Sequence, residues 1–525
     1  MKKQKYIIIL LVIFTFISMN AIGGIEKKKN SASIHTTANA TIAYNVIDFG
    51  AKGDGKTLDS PSINNTIEVA ASKGGGMIYF PAGTYLSVSI HLKSNISLYL
   101  EQGATILAAS PSEDYKYDFP EPNIWGDSLN YQDYGHSHFH NSLIWGENLH
   151  NISIFGPGRI WGKGLVGGKS KPGNGNKAIS LKLCRNVIIR DISILHGGWF
   201  GILATGVDNF TLDNLKIDTN RDGMDIDCCR NVRVSNCFVN SPHDDAICLK
   251  SSFALGEARV TSNITITNCQ VSGYDVGTLL DENYKGKRSF KGGGNGRIKF
   301  GTESNGGFKN ITISNCVFDF CLGLALEAVD GALIEDISIT NITMRNTITS
   351  PIFIRLGERM RGPVDASVSQ INRVNISDVV VYNADPRFGV IISGDKGHDI
   401  KDVSLSNIRI YYKGGGTAKQ ATREVPGYEK DYPEPWNFGI MPSYGFFIRH
   451  VDGIQLNNIE VSFKEPDFRP AIFLDNVKNA EFMFVRARKT EGVPSLYLKN
   501  VRNLNILHSL NLRDRKIKKA DNDKL

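Results

Sequence analysis

No apolar stretch of this 525-residue chain reaches the roughly 20 residues needed to cross a bilayer, so no stable membrane insertion is expected. The longest run, Tyr6 to Ile17, is too short for that and follows Lys2, Lys3 and Lys5. With small residues at Ala21, Gly23 and Gly24 it reads as a secretory signal peptide over residues 1–24, followed by a flexible mature N-terminus over 25–44. No cysteine closely follows the run, so a lipid anchor is not indicated. Export to a periplasm or beyond the cell is the expected destination. A strong charge of either sign is also lacking: the formal net charge is +7, three of the lysines lie in the signal, and the rest gathers at Lys27 to Lys29 and in a charged tail over 511–525. That balance gives no sign of a nucleic-acid partner. A helical periodicity between the apolar segments is missing too, which excludes a sheet built from strand–helix–strand units.

What is present is one phrase repeated: a turn residue, usually Asn or Asp, then alternating apolar residues. It begins at Asn151, Asn186, Asn209, Asn231, Asn263, Asn310, Asp336, Asp402 and Asn479. Asn186, Asn209 and Asn231 are 23 and 22 residues apart, whereas Asn263 and Asn310 are 47 apart, as expected where a loop is inserted at one corner of a coil. A propeller needs a period near about 40 to 50, so the fold class expected is all-β, a single-stranded right-handed parallel β-helix over residues 45–510. A solenoid of this kind also escapes the size limit of a single core, because each coil packs only on its neighbours. One helix is expected as a cap over the open end, with Ser60 as N-cap, Pro61 in the first position, Ile63, Ile67 and Ala70 on one face, and Gly74 to Gly76 ending it. Three of the eight cysteines recur after asparagine, as Cys237, Cys269 and Cys316, and are expected to stack as small core residues.

The densest chemistry lies at Asn220-Arg221-Asp222-Gly223-Met224-Asp225-Ile226-Asp227 and, one coil on, at His243-Asp244-Asp245. Asp222 and Asp244 are 22 residues apart, the compact repeat itself, so the three carboxylates should sit on adjacent rungs about 5 Å apart. Aspartates also cap strand ends at turns, but like charges on neighbouring rungs repel and call for a reason. Adjacent side chains of a strand face opposite ways, so Asp244 and Asp245 share a cleft only across a bend, and parity equally puts Asp225 and Asp227 on the outer face. Two carboxyl functions are what glycosidic hydrolysis requires.

Here the sequence resembles glycoside hydrolase family 28, the polygalacturonases and rhamnogalacturonan hydrolases. The resemblance runs from Asn45-Val46-Ile47-Asp48-Phe49-Gly50-Ala51 through Tyr79-Phe80-Pro81-Ala82-Gly83-Thr84-Tyr85 to the coil around Asp402. The family's Asn-Thr-Asp matches Asn220-Arg221-Asp222 and its Asp-Asp matches Asp244-Asp245. The resemblance implies Asp244 as general acid, Asp222 and Asp245 as the bases holding the attacking water, and inversion at the anomeric carbon. It implies an exported, monomeric enzyme with no metal or organic cofactor, acting on an acidic, plant-type pectic polysaccharide or oligosaccharide. The family's Gly-His-Gly is replaced by the stretch from Gly296 to Glu303, and its uronate-binding Arg-Ile-Lys by Ala325-Leu326-Glu327, while Arg297-Ile298-Lys299 stands one coil early. The basic role is therefore expected to have moved to Arg297 and Lys299, with Glu327, Asn220, His243, Lys250 and Arg355 as further substrate contacts.

Other signals are open to two readings. The loop from Asp281 to Gly296 is a surface insertion or a rim of the active site, and its length favours a blocked cleft and exo cleavage. His136, His138 and His140 would share one face of a strand and could hold a metal, though no fourth ligand is evident. Arg359 and Arg361 reach the cleft or form a basic loop; Trp145, Trp161 and Trp199 stack on sugars or fill the core. The competing functions are a pectate-lyase-type elimination using calcium, with Arg297 or Lys299 as base, and a non-catalytic polysaccharide-binding β-helix.

Overall fold

The computed structural model describes residues 43–525 apart from 126–129, 169–170, 282–283 and 288–292. The signal peptide expected over 1–24 and residues 25–42 lie outside the described residues, as do parts of the 281–296 loop. The chain is a right-handed parallel β-helix, and its first strand, Ala43–Asn45, starts within the segment expected to be flexible. No helix among the described residues is long and apolar enough to cross a membrane.

The sheet that carries the site comprises Phe200–Thr205, Asp222–Asp227, Ile247–Ser251, Ile298–Ser304, Leu324–Ala328, Ile352–Leu356 and Val390–Ser393. Their apolar residues stack in register: Ile202 over Met224, then Ile247, Ile298, Leu324 and Ile352, all at most 2% exposed. Burying each such side chain contributes about 1.5–3 kcal/mol, and the column leaves the alternate residues facing outward.

The repeated asparagine has a local cause. Asn151, Asn186, Asn209, Asn231, Asn263 and Asn310 all have φ between 55° and 58°, the left-handed turn that asparagine tolerates better than other side chains. Each donates its amide to the asparagine one rung before, from Asn186 to Asn151 at 3.0 Å through Asn310 to Asn263 at 2.9 Å. The long corner insertions leave this ladder unbroken. Cys237, Cys269 and Cys316 are buried and unbridged, as are the other five cysteines.

Both ends differ in detail from expectation. The helix Ser60–Ser72 buries Ile63, Ile67 and Ala70, but its N-cap is Asp59, and Ser60 is its first residue. Asp59 does not cap with its side chain; its carboxylate instead accepts from the backbone of Lys52 and Gly53. The charged segment expected as a tail over 511–525 contains a strand, Arg515–Lys524, antiparallel to Leu496–Leu507. It pairs the open edge of the last coil and buries Ala520, which a polar composition alone does not reveal.

Candidate active site

Asp244 and Asp245 precede the strand Ile247–Ser251, in a bend packed tightly on the previous rung. The Gly223 N–H donates to the Asp245 carbonyl at 3.0 Å, and a Cβ on Gly223 would meet the Ala246 carbonyl oxygen at 2.5 Å, so only glycine admits this approach. Ser241 Oγ donates to the carbonyls of Arg221 at 2.7 Å and Asp244 at 2.9 Å, tying the two motifs together. The result is that one carboxylate oxygen from each of Asp222, Asp244 and Asp245 lies within 4.8 Å of the others.

The three are electrostatically unequal. Burial pushes Asp245 upward, but Lys299 at 3.2 Å and Arg297 at 2.7 Å outweigh it and hold the carboxyl at about 2. Asp222, 2% exposed, is raised well above the usual carboxylate range by burial and by the charges of Asp225 and Asp244. Asp244 is half-buried and ion-paired with Arg221, whose guanidinium lies over the Trp199 ring, 3.6 Å from its centroid. The cluster therefore holds Asp245 as a carboxylate, while burial and its acidic neighbours push Asp222 toward the protonated form.

Arg297 and Lys299 are each 2% exposed and already engaged. Arg297 also donates to both carboxylate oxygens of Glu434, at 3.1 and 2.5 Å, and Lys299 donates to Tyr432 Oη at 3.3 Å. Glu327 sits 3.7 Å from Lys299 and 3.9 Å from Arg297; burial, against those two cations, raises it to about 8. These residues, expected as substrate contacts, form the buried wall behind Asp245. Lys250 joins Glu303 at 2.9 Å and Asp225 at 3.7 Å. Arg355 lies one rung beyond Glu327 and is spent on Asp395 at 3.1 Å and on the carbonyls of Gly427 and Tyr428. His243 is exposed and Asn220 half-buried beside the aspartates in sequence. Gly296 N–H donates to the Asp244 carbonyl at 2.9 Å, so the end of the 281–296 loop borders the site.

The three alternating histidines do not share a face, because Tyr134–His136 is a 3-10 turn and not a strand. His138 stacks on Tyr134 and His140 on Trp145, while His136 alone reaches the site, 3.2 Å from Asp225. Arg359 pairs with Asp330, and Arg361 bridges Asp133 and Glu303.

A family model described as rhamnogalacturonase A/epimerase, pectate lyase-like, matches residues 43–113, and one for a right-handed β-helix region matches 135–286. A probable polygalacturonase of Vitis vinifera is 27% identical over 228 residues, 40% of this chain and 44% of that protein. An exo-poly-α-D-galacturonosidase of Dickeya chrysanthemi is 35% identical over 102 residues, 19% of this chain and 16% of that one. The chain thus spans less than half the length of each. The crystal structure of a hyperthermoactive exopolygalacturonase from Thermotoga maritima has the same fold, with a TM-score of 0.52 at 20% identity over 71% of this chain and 87% of that one.

The chain is a right-handed parallel β-helix protein that is similar to polygalacturonases.

In this site, sequence reasoning missed Glu434, Tyr432 and Glu303, and placed His136 on a strand face it does not occupy. The first two come from the insertion between the strands Ile400–Gly414 and Phe446–Glu465, far along the chain and outside the repeat. The paired prolines around Glu434 mark a rigid turn but carry no sign of its partner. Asp227, equally outward by parity, is satisfied by Ser252 at 2.6 and 2.8 Å and has a structural role.

Proposed function

We propose that the protein is an exported glycoside hydrolase that cleaves a pectic, galacturonate-containing polysaccharide or its oligosaccharides, with Asp222, Asp244 and Asp245 as the reacting carboxyls. The observation that carries this reading is the convergence of those three carboxylates within 4.8 Å, with one pushed toward the acid form and one locked as carboxylate. A carboxylate that stays ionised can activate water or stabilise positive charge at the anomeric carbon, and a protonated neighbour can supply the proton that the leaving oxygen needs.

The resemblance gives the proton donor as Asp244, and the resting electrostatics favour Asp222 as the holder of the proton. The two are compatible if the proton passes to Asp244 once substrate is bound. Inversion is supported by the resemblance; the nearest-oxygen spacing is below the about 6.5–9.5 Å typical of carboxyl pairs in inverting enzymes, so the first anomer released decides it. Exo action is favoured by the similarity to two exo-acting proteins and by the loop bordering Asp244.

Elimination of the pectate-lyase type is disfavoured by Arg297 and Lys299, the candidate bases, since both are buried in ion pairs with Asp245. Digestion of homogalacturonan and rhamnogalacturonan, followed by reducing ends and ultraviolet absorbance together, tests the reading. New reducing ends without absorbance support it; unsaturated products, or no products from any pectic substrate, reject it.

A further inference from the structure

We propose that Arg221 binds the carboxylate of the acidic sugar, and that this engagement withdraws the guanidinium from Asp244. The inference rests on the proposed hydrolase reading and extends it to how the site recognises a uronate. Three cations near the aspartates are closed off: Lys250, Arg297 and Lys299 have side chains no more than 6% exposed and ion-paired on the protein itself. The Arg221 side chain is 30% exposed, and its Nε is buried without a hydrogen-bond partner, so donor capacity remains unspent.

Its position is fixed from two sides. The Arg221 carbonyl accepts from Ser241 Oγ at 2.7 Å, and the flat face of the guanidinium rests on Trp199. Held in this way, it loses little freedom on binding and presents its edge to a planar carboxylate, the geometry for which arginine is better suited than lysine. The family motif that this stretch resembles has threonine at this place, so the cation belongs to this chain's own site.

The consequence couples recognition to chemistry. While the site is empty, Arg221 occupies Asp244; a sugar carboxylate competes for the same donors and leaves Asp244 without its cation beside the buried Asp222. A neutral sugar makes no such exchange. Both binding and turnover therefore come to depend on the charge of the sugar in this subsite.

Calorimetric titration with galacturonic acid and with galactose, neither of which can be cleaved, separates this inference from the hydrolase reading. The wild type is expected to bind the acid at least about tenfold more tightly than the neutral sugar. Arg221→Gln should abolish that preference, and Arg221→Lys should restore part of it. With an oligogalacturonide and its carboxyl-reduced form, Arg221→Gln should raise KM and lower kcat for the acid only. A preference retained in Arg221→Gln, or none in the wild type, overturns the proposal whether or not the protein hydrolyses pectin; a preference lost in a variant with unchanged Tm upholds it.

Discussion

Arg297 and Glu434, 137 residues apart, meet through both terminal guanidinium nitrogens while the Arg297 Nε holds Asp245 at 2.7 Å. An insertion outside the repeat thus fixes the cation that keeps Asp245 ionised. Replacing Glu434 by Gln leaves a buried guanidinium under-compensated and should cost about 3–5 kcal/mol of stability in urea denaturation. The loosened Asp245 should lower kcat on the order of 10²-fold, with a smaller effect on KM.

Glu327 gives the protein a pH-dependent term of definite sign. Its folded value, raised to about 8 from 4.5, means that the folded state binds a proton that the unfolded state has released between those values. Stability from this group is therefore lost as pH rises from about 4.5 toward 8, at no more than about 1.4 kcal/mol per pH unit. Glu327→Gln should flatten that slope in thermal melts and be the more stable protein at pH 8. A steeper alkaline loss in the variant would contradict the assignment.

The division of labour between Asp222 and Asp244 is separable by leaving-group chemistry. Removing the proton donor costs about 10²–10⁴-fold on a natural linkage but little on an aryl galacturonide whose leaving group needs no proton. If Asp244 donates, Asp244→Asn should keep most of its activity on the aryl substrate and Asp222→Asn should lose it on both. The reverse pattern assigns the donor to Asp222.

The asparagine ladder makes a prediction away from the site. Asn231, at φ 58°, donates to Asn209 at 3.3 Å on an exposed corner. Asn231→Ala should lose about 1–2 kcal/mol through the left-handed backbone, Asn231→Gly should lose less, and neither should change kcat.

That ladder also explains why the coil was legible in the sequence: each turn needs a left-handed residue, so the requirement is local and recurs at the period of the rungs. The aspartates were legible because the rungs return every 22 or 23 residues, although the strand Asp222–Asp227 pairs with Ile247–Ser251 at 23, Met224 opposite Ile247, one residue off the interval between Asp222 and Asp244. Residues outside the repeat left no such trace. Glu434 and Tyr432 reach Arg297 and Lys299 through an insertion whose path no periodicity records. The cations, legible as basic residues and expected as substrate contacts, are consequently buried and partnered on the protein itself. His136 was misassigned because a 3-10 turn does not preserve strand alternation, and the C-terminal strand because its charges gave no apolar signal.

The most direct test follows homogalacturonan digestion by proton NMR from the first minutes, with wild type and Asp245→Asn side by side. The account predicts saturated products whose new reducing ends appear first as the β-anomer from the α-linked chain, and no products above background from Asp245→Asn. Unsaturated products, or cleavage that persists in Asp245→Asn, would contradict hydrolysis by the aspartate cluster.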